Sequence, residues 1–281
     1  MIPVPLPRLA PAGRFHPSRE GFFMSFISEQ DTRFAPLWDR IRSHPFLLET
    51  RDGTIPDEVF ATWLRQDYLF VEAAIPFIGA LIPRAPTEHW GPLSGVISAL
   101  EKELKLFEER AARVGVQLRG APPSFTCHAY IQFLLATAHT RGYAEGFAVL
   151  YAAERAYHES WQVVQEGIAA DSPWVPFVEN WAGEEFAGYV GYLGGELEKL
   201  AGEAGPAERA RMGELYRLAL LYEVAFWEMA YGADGWPGVE DDLAGEAGAG
   251  PAWNPDTGTT PEKAWTHMNP QSSAGEEGTD R

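Results

Sequence analysis

Three acidic residues sit where a helix would place large apolar side chains. In "LYAAERAYHESW", Glu154 falls on the helical stripe of Phe147, Leu150 and Trp161, while Arg155, Glu159, Gln162 and Glu166 mark the exposed face. In "FATWLRQDYLFVEAAIPF", Asp67 shares a stripe with Phe60, Leu64 and Val71. In "LYRLALLYEVAFWEMA", Glu223 lies among Tyr216, Ala219, Leu220, Phe226, Trp227 and Ala230. A buried carboxylate without a partner is costly, so each needs a hydrogen-bond donor, a proton or a ligand. Structural partners would be Arg65, Arg155 or tyrosine hydroxyls. Alternatively, acids converging from several helices, with Tyr and Trp nearby, would make a polar pocket for a small cationic or amidine-like heteroaromatic molecule. Carboxylates accept from amino and ring N–H groups while aromatics stack on the ring face.

Other chemistries are less well supplied. Glu154 and His158 are four apart, as a metal site on one helix side requires. The positions three and four after Glu223 are Phe226 and Trp227, and those after Asp67 are Phe70 and Val71, so a di-iron ligand set is incomplete. Cys127, in "PSFTCHAY", reads as a structural cysteine near a helix start, and His128 beside it points about 100° away on a helix. Neither a GxSxG nucleophile elbow nor a Gly-rich phosphate loop occurs.

The elements that must position these acids are helices, expected near 30–43, 57–83, 87–117, 125–141, 143–169, 173–203 and 206–232. The breakers "RDGTIP", "PRAP", "LRGAPPS", "TRG", "DSP" and "GEAGP" separate them. Pro76 falls inside the second and is expected to kink it. The fold class is therefore all-α, a single-domain helical bundle over 28–232. Residues 1–27, with prolines at 3, 5, 7, 11 and 17, read as a disordered extension with Met24 as a possible true start. Residues 233–281 read as a disordered acidic tail.

Of 281 residues, 46% are hydrophobic and 13% aromatic, enough for a sizeable core. A formal net charge of -18 argues against nucleic acid or an anionic membrane surface as partner. One cysteine excludes an intrachain disulfide and suits a reducing cytoplasm.

Four segments, in order, resemble the TenA/thiaminase II family of the haem-oxygenase-like fold: "HPFLLETRDGTIPDEVFATWLRQDYLF", "PSFTCHAYIQFL", "ENWAGEEFAGYV" and "LYEVAFWEMA". The resemblance runs from about Leu37 to Gly232. Where one branch of that family carries a nucleophilic cysteine, this chain reads "LYAAERAYHESW". It is similar to the branch that has a glutamate there instead. The resemblance implies a pocket with Asp67, Glu154 and Glu223 as acid–base or anchoring groups, and Tyr130, Trp181, Phe70 and Tyr157 as substrate-binding residues. Phe70 stands where cysteine-type members have tyrosine, which weakens the case for thiamine cleavage itself. The implied activity is hydrolysis of an aminopyrimidine in thiamin salvage, 4-amino-5-aminomethyl-2-methylpyrimidine or its N-formyl form, to the hydroxymethylpyrimidine. No cofactor or metal is implied, and the family points to a homo-oligomer, a dimer or tetramer. The competing readings are a non-haem metal oxygenase on the same fold and a non-catalytic pyrimidine-binding or interaction protein.

Overall fold

The computed structural model describes residues 24–232 and 234–237. The expectations for the extension before Met24 and for the acidic tail beyond Pro237 lie outside these residues. Ser25 caps the first helix through its hydroxyl, which accepts from Ser28 N at 3.3 Å, so helix starts at Phe26. Asp234 is held by Thr126, whose backbone N–H donates to Oδ2 at 3.1 Å.

The helices are α1 (Phe26–Arg42), α2 (Pro45–Asp52), α3 (Asp57–Leu81), α4 (Thr87–Val114), α5 (Phe125–Thr140), α6 (Tyr143–Gln165), α7 (Val175–Trp181), α8 (Glu184–Glu203) and α9 (Pro206–Gly232). Among the described residues there is no strand, and no helix is long and apolar enough to cross a membrane. The chain is an all-α bundle.

Three details depart from the sequence expectation. Residues 45–52 form a helix of their own, α2, started by Pro45 and capped by His44, whose Nδ1 accepts from Phe46 N at 3.2 Å. Gly53, at φ 70°, ends it in the left-handed conformation that glycine adopts without a Cβ clash. The expected helix over 173–203 is two helices. Between them Gly183 adopts an extended backbone, so close to Glu179 that an added Cβ would lie 2.5 Å from its carbonyl oxygen. Finally, α3 runs unbroken through Pro76, and the kink falls in α1 instead, at Phe34 (φ -113°, ψ 18°), two residues before Pro36. Pro36 has no N–H to give the preceding turn and its ring crowds the carbonyl four residues back, which accounts for a break in that turn.

The long helices α3, α6 and α9 pack against one another, with α4 and α5 against α3 and with α7 and α8 against α6. Glycine at 146 eases the close approach of α6 to the end of α3, since a Cβ there would meet the tip of the Leu81 side chain at 2.6 Å and force it to shift. The core is dense in aromatics. Trp63 alone meets Phe46, Phe60, Phe107, Trp161, Phe177 and Trp181, with ring centroids 4.9–6.0 Å apart. Rings this large, packed edge to face or tilted against one another, give the acids a stiff frame.

Candidate active site

The bundle brings the three predicted acids to one interior region, each from a different helix and each met by a tyrosine. Asp67 (α3) and Glu223 (α9) are fully buried. Tyr157 (α6) donates to Asp67 Oδ1, and Trp63 Nε1 in turn donates to the Tyr157 hydroxyl at 3.4 Å. Tyr130 (α5) donates to Glu223 Oε1 at 2.6 Å. Tyr189 (α8) donates to Glu154 Oε1 (α6) at 3.2 Å. The guanidiniums considered as partners are not used. Arg155 is committed to Asp31 at 2.6 Å and Glu159 at 2.7 Å, over the Trp38 ring. Arg155 and Glu159 are thus half-buried in an ion-pair network rather than freely solvated.

A fourth acid joins them. Glu103, on α4, accepts from Asn180 Nδ2 at 3.0 Å and from the side chain of Trp181. The four carboxylates lie within electrostatic reach in a closed ring: Asp67 feels Glu103 and Glu223, Glu223 feels Glu154, and Glu154 feels Glu103. Among the described residues none of the four has a Lys, Arg or His ion-pair partner. Burial, reinforced by neighbouring acids, therefore favours the protonated forms. Asp67 is raised well above the usual carboxylate range by burial, against the pull of the Tyr157 bond. Burial pushes Glu154 and Glu223 up to about 8 and Glu103 to about 7. Glu103 and Glu154 keep some accessible surface despite this desolvation.

Two oxygens of this ring, Asp67 Oδ2 and Glu223 Oε2, are buried with no hydrogen-bond partner. Buried polar atoms are nearly always satisfied in folded proteins, so these are open acceptors for a ligand or a proton.

The predicted aromatics surround the acids, with part of their surface already covered. Tyr130 stacks on Tyr222 (4.8 Å, 7°) and meets Phe70 at 4.7 Å. Trp181 stacks on Phe177 (5.5 Å, 9°) and Trp161 (5.0 Å, 28°), and presents an edge contact to Tyr157 at 5.5 Å. Tyr157 spends its hydroxyl on Asp67 and stacks on Trp227, so it orients the acid as well as lining the region.

His158 points away from the acids. Its Nδ1–H donates to the Trp181 carbonyl at 2.7 Å, tying α6 to the end of α7. Among the described residues no group of three or more His, Cys, Asp or Glu side chains is placed to hold a metal ion. Cys127 is buried, its thiol donates to the Gln66 carbonyl at 3.4 Å, and burial with the charges of Asp67 and Asp234 pushes its pKa up. A thiol so placed is a poor nucleophile. An open surface cleft of about 500 Å³ lies between α1, α6 and α8, with Arg42, Arg155, His158 and Glu198 in its walls, and includes none of the four acids.

Glu103, Asn180 and Tyr189 were not among the predicted site residues. The same helical-stripe criterion finds Glu103, which falls with Val96, Leu100 and Phe107, but the charged run "LEKELKLFEER" hides it.

With this geometry in view, residues 32–233 match the TENA/THI-4/PQQC family. The chain belongs to that family. A TenA homologue from Pyrococcus furiosus of known structure is 33% identical, with a TM-score of 0.71 over 73% of this chain and 100% of its own. The "Probable bifunctional TENA-E protein" of Glycine max is 28% identical over 203 residues, 70% of this chain and 89% of its own length. The "Aminopyrimidine aminohydrolase" of Bacillus subtilis is 27% identical over 222 residues, 76% and 92% of the two chains. The chain thus matches almost the whole length of these relatives, and the helices carrying the acids all lie within the residues that match the family.

Proposed function

We propose that this TenA-family chain is an aminopyrimidine aminohydrolase of the glutamate-bearing branch. It would hydrolyse the exocyclic C–N bond of 4-amino-5-aminomethyl-2-methylpyrimidine, or of its N-formyl form, in thiamin salvage. The observation that carries this reading is the pair of open, buried acceptors, Asp67 Oδ2 and Glu223 Oε2, in an aromatic-walled ring of acids without basic counter-ions. A flat ring that bears N–H donors meets both requirements, and relatives in Bacillus subtilis and Glycine max bear names consistent with it.

In this reading Asp67, fixed by Tyr157, accepts from the 4-amino group and orients the ring. Trp181, Tyr130 and Phe70 border the ring. Glu154 and Glu223 share the proton work as one coupled pair. Its protonated member donates its proton to the departing nitrogen, which leaves with the C–N electron pair as ammonia or formamide. The ionised member takes a proton from the water whose oxygen bonds to the exposed methylene carbon. With both near 8, a mixed protonation state is populated around neutral pH.

The test is ammonia and formamide release from the two pyrimidines, with thiamin as a third substrate. Turnover of an aminopyrimidine by the wild type, lowered roughly 10²–10⁴-fold in Glu154→Gln, is expected for loss of an acid–base group. No turnover of any of the three by the wild type would overturn the assignment.

A further inference from the structure

Asp234 lies just beyond the end of α9 and grips the first turn of α5. Both bonds come from Thr126, whose backbone N–H donates to Oδ2 at 3.1 Å and whose hydroxyl donates to the same oxygen. The other oxygen, Oδ1, is buried without a partner. The Ser124 hydroxyl already caps α5, accepting from Cys127 N at 3.2 Å, so the helix has its cap without Asp234.

The same turn is also tied to α3. Gln66, the residue before Asp67, accepts from Ser124 N at 2.9 Å and donates to the Pro122 carbonyl at 3.1 Å. Its own carbonyl accepts from the Cys127 thiol at 3.4 Å. The start of α5 thus bridges the helix that bears Asp67 and the chain leaving the helix that bears Glu223. Thr126 and Tyr130 are four residues apart on α5, hence one above the other on one face. Thr126 is held at Asp234, and Tyr130 reaches Glu223 through its 2.6 Å bond. The Tyr130 ring also meets Tyr222 and Phe70, with centroids at 4.8 and 4.7 Å. Ring contacts tolerate sliding, whereas an O–H···O bond weakens steeply with distance and angle.

We infer that Asp234 is a positioning residue: its clasp on Thr126 sets the register of α5 against α9 that holds the Tyr130 hydroxyl on Glu223. As a statement about catalysis this rests on the aminopyrimidine reading, in which Glu223 does proton work. Without the clasp, the first turn of α5 keeps its ties to α3 but loses this one to α9, and the Tyr130–Glu223 bond loosens. Glu223 then loses the donor that stabilises its ionised form and holds its proton to higher pH. The other groups that face it, Glu154, Asp67 and Tyr157, stay in place.

The test follows the Glu223 carboxyl directly, by carbon-13 NMR of the glutamate-labelled full chain, its signal identified by its loss in Glu223→Gln. A pH–rate profile with the aminomethylpyrimidine runs beside it. In Asp234→Ala the Glu223 titration and the acidic limb of the profile are expected to move together to higher pH. Turnover at pH 7 should fall roughly two- to tenfold, the range for one ordinary hydrogen bond. Asp234→Asn keeps a carbonyl oxygen for Thr126 and puts its amide where Oδ1 has no partner, so it should behave as wild type. Added to Tyr130→Phe, Asp234→Ala should change nothing further. An unmoved Glu223 titration in Asp234→Ala overturns the inference. So does Asp234→Asn matching Asp234→Ala, which would assign the effect to charge, or an effect that adds to that of Tyr130→Phe. Should Asp234→Ala not fold, Thr126→Val removes the hydroxyl's bond and keeps the backbone one. A smaller shift of the same sign is expected there, and no shift overturns the assignment. An inactive wild type whose Glu223 titration still moves as expected in the variant defeats the aminopyrimidine function and leaves the clasp standing. Turnover with an unmoved titration defeats the clasp alone.

Discussion

Tyr130 and Glu223 are joined by a 2.6 Å hydrogen bond between two fully buried side chains, one on α5 and the other on α9. The hydroxyl can donate to an ionised or a protonated carboxyl, so the pair tolerates both states of Glu223. Tyr130→Phe removes the group that pulls the Glu223 pKa down and leaves burial and the Glu154 charge to raise it. The acidic limb of the pH–rate profile should therefore move to higher pH, and turnover at pH 7 should fall roughly tenfold or more. A profile superimposable on wild type would remove Tyr130 from the proton network.

Stability should fall as pH rises. Glu154 and Glu223 have folded-state values near 8, above the 4.5 of an ordinary glutamate. Below pH 4.5 both states of the chain hold these protons and nothing is lost. Between 4.5 and 8 the unfolded chain releases them first, and the folded state loses stability until its own groups ionise. Glu223→Gln removes one such group while keeping an acceptor for Tyr130. It should melt higher than wild type at pH 8.5, by an amount that shrinks towards pH 5, while losing most activity. Thermal melts at three pH values check this, and a variant less stable throughout would contradict it.

Cys127 should be dispensable for chemistry. Its thiol is buried and donates to the Gln66 carbonyl, with burial and nearby acids opposing the thiolate. Cys127→Ala is expected to keep turnover within about threefold of wild type, at a stability cost of about 1 kcal/mol for the small void. Iodoacetamide should leave the wild type active. Inactivation that tracks alkylation of Cys127 would point to covalent chemistry instead.

Gly183 sets the corner between α7 and α8 because a Cβ there would press on the Glu179 carbonyl oxygen at 2.5 Å. Gly183→Ala should cost roughly 1–3 kcal/mol through the forced backbone shift. Because Asn180 and Trp181 lie just before the corner, KM should rise more than kcat falls. Steady-state kinetics beside a urea melt measures both, and an unaltered KM would detach the corner from the site.

Asp67, Glu154 and Glu223 were legible in the sequence because an acid in an otherwise apolar stripe breaks a pattern. Glu103 breaks the same pattern, but Glu101, Lys102 and Lys105 beside it are exposed and mask the stripe. The three tyrosine partners come from sequence separations of 35 to 93 residues, which no local spacing encodes. Helix α2 escaped because eight residues between two breakers carry too little periodicity, and its start depends on a histidine ring acting as a cap. The α7–α8 corner escaped for a different reason. Gly183 occupies an ordinary extended conformation, and the carbonyl that forbids a side chain there becomes visible only once the chain has turned.

With no basic side chain beside them among the described residues, the four acids balance most of their charge with protons at neutral pH. A cationic ligand must displace those protons as it enters. The site then behaves as a microscopic ion exchanger: each cation taken up sends protons to the bulk, and each neutral product lets them return. The heat of binding will accordingly differ between Tris and phosphate in proportion to the protons released. The same exchange makes affinity for the cation rise with pH through the range in which these carboxyls titrate.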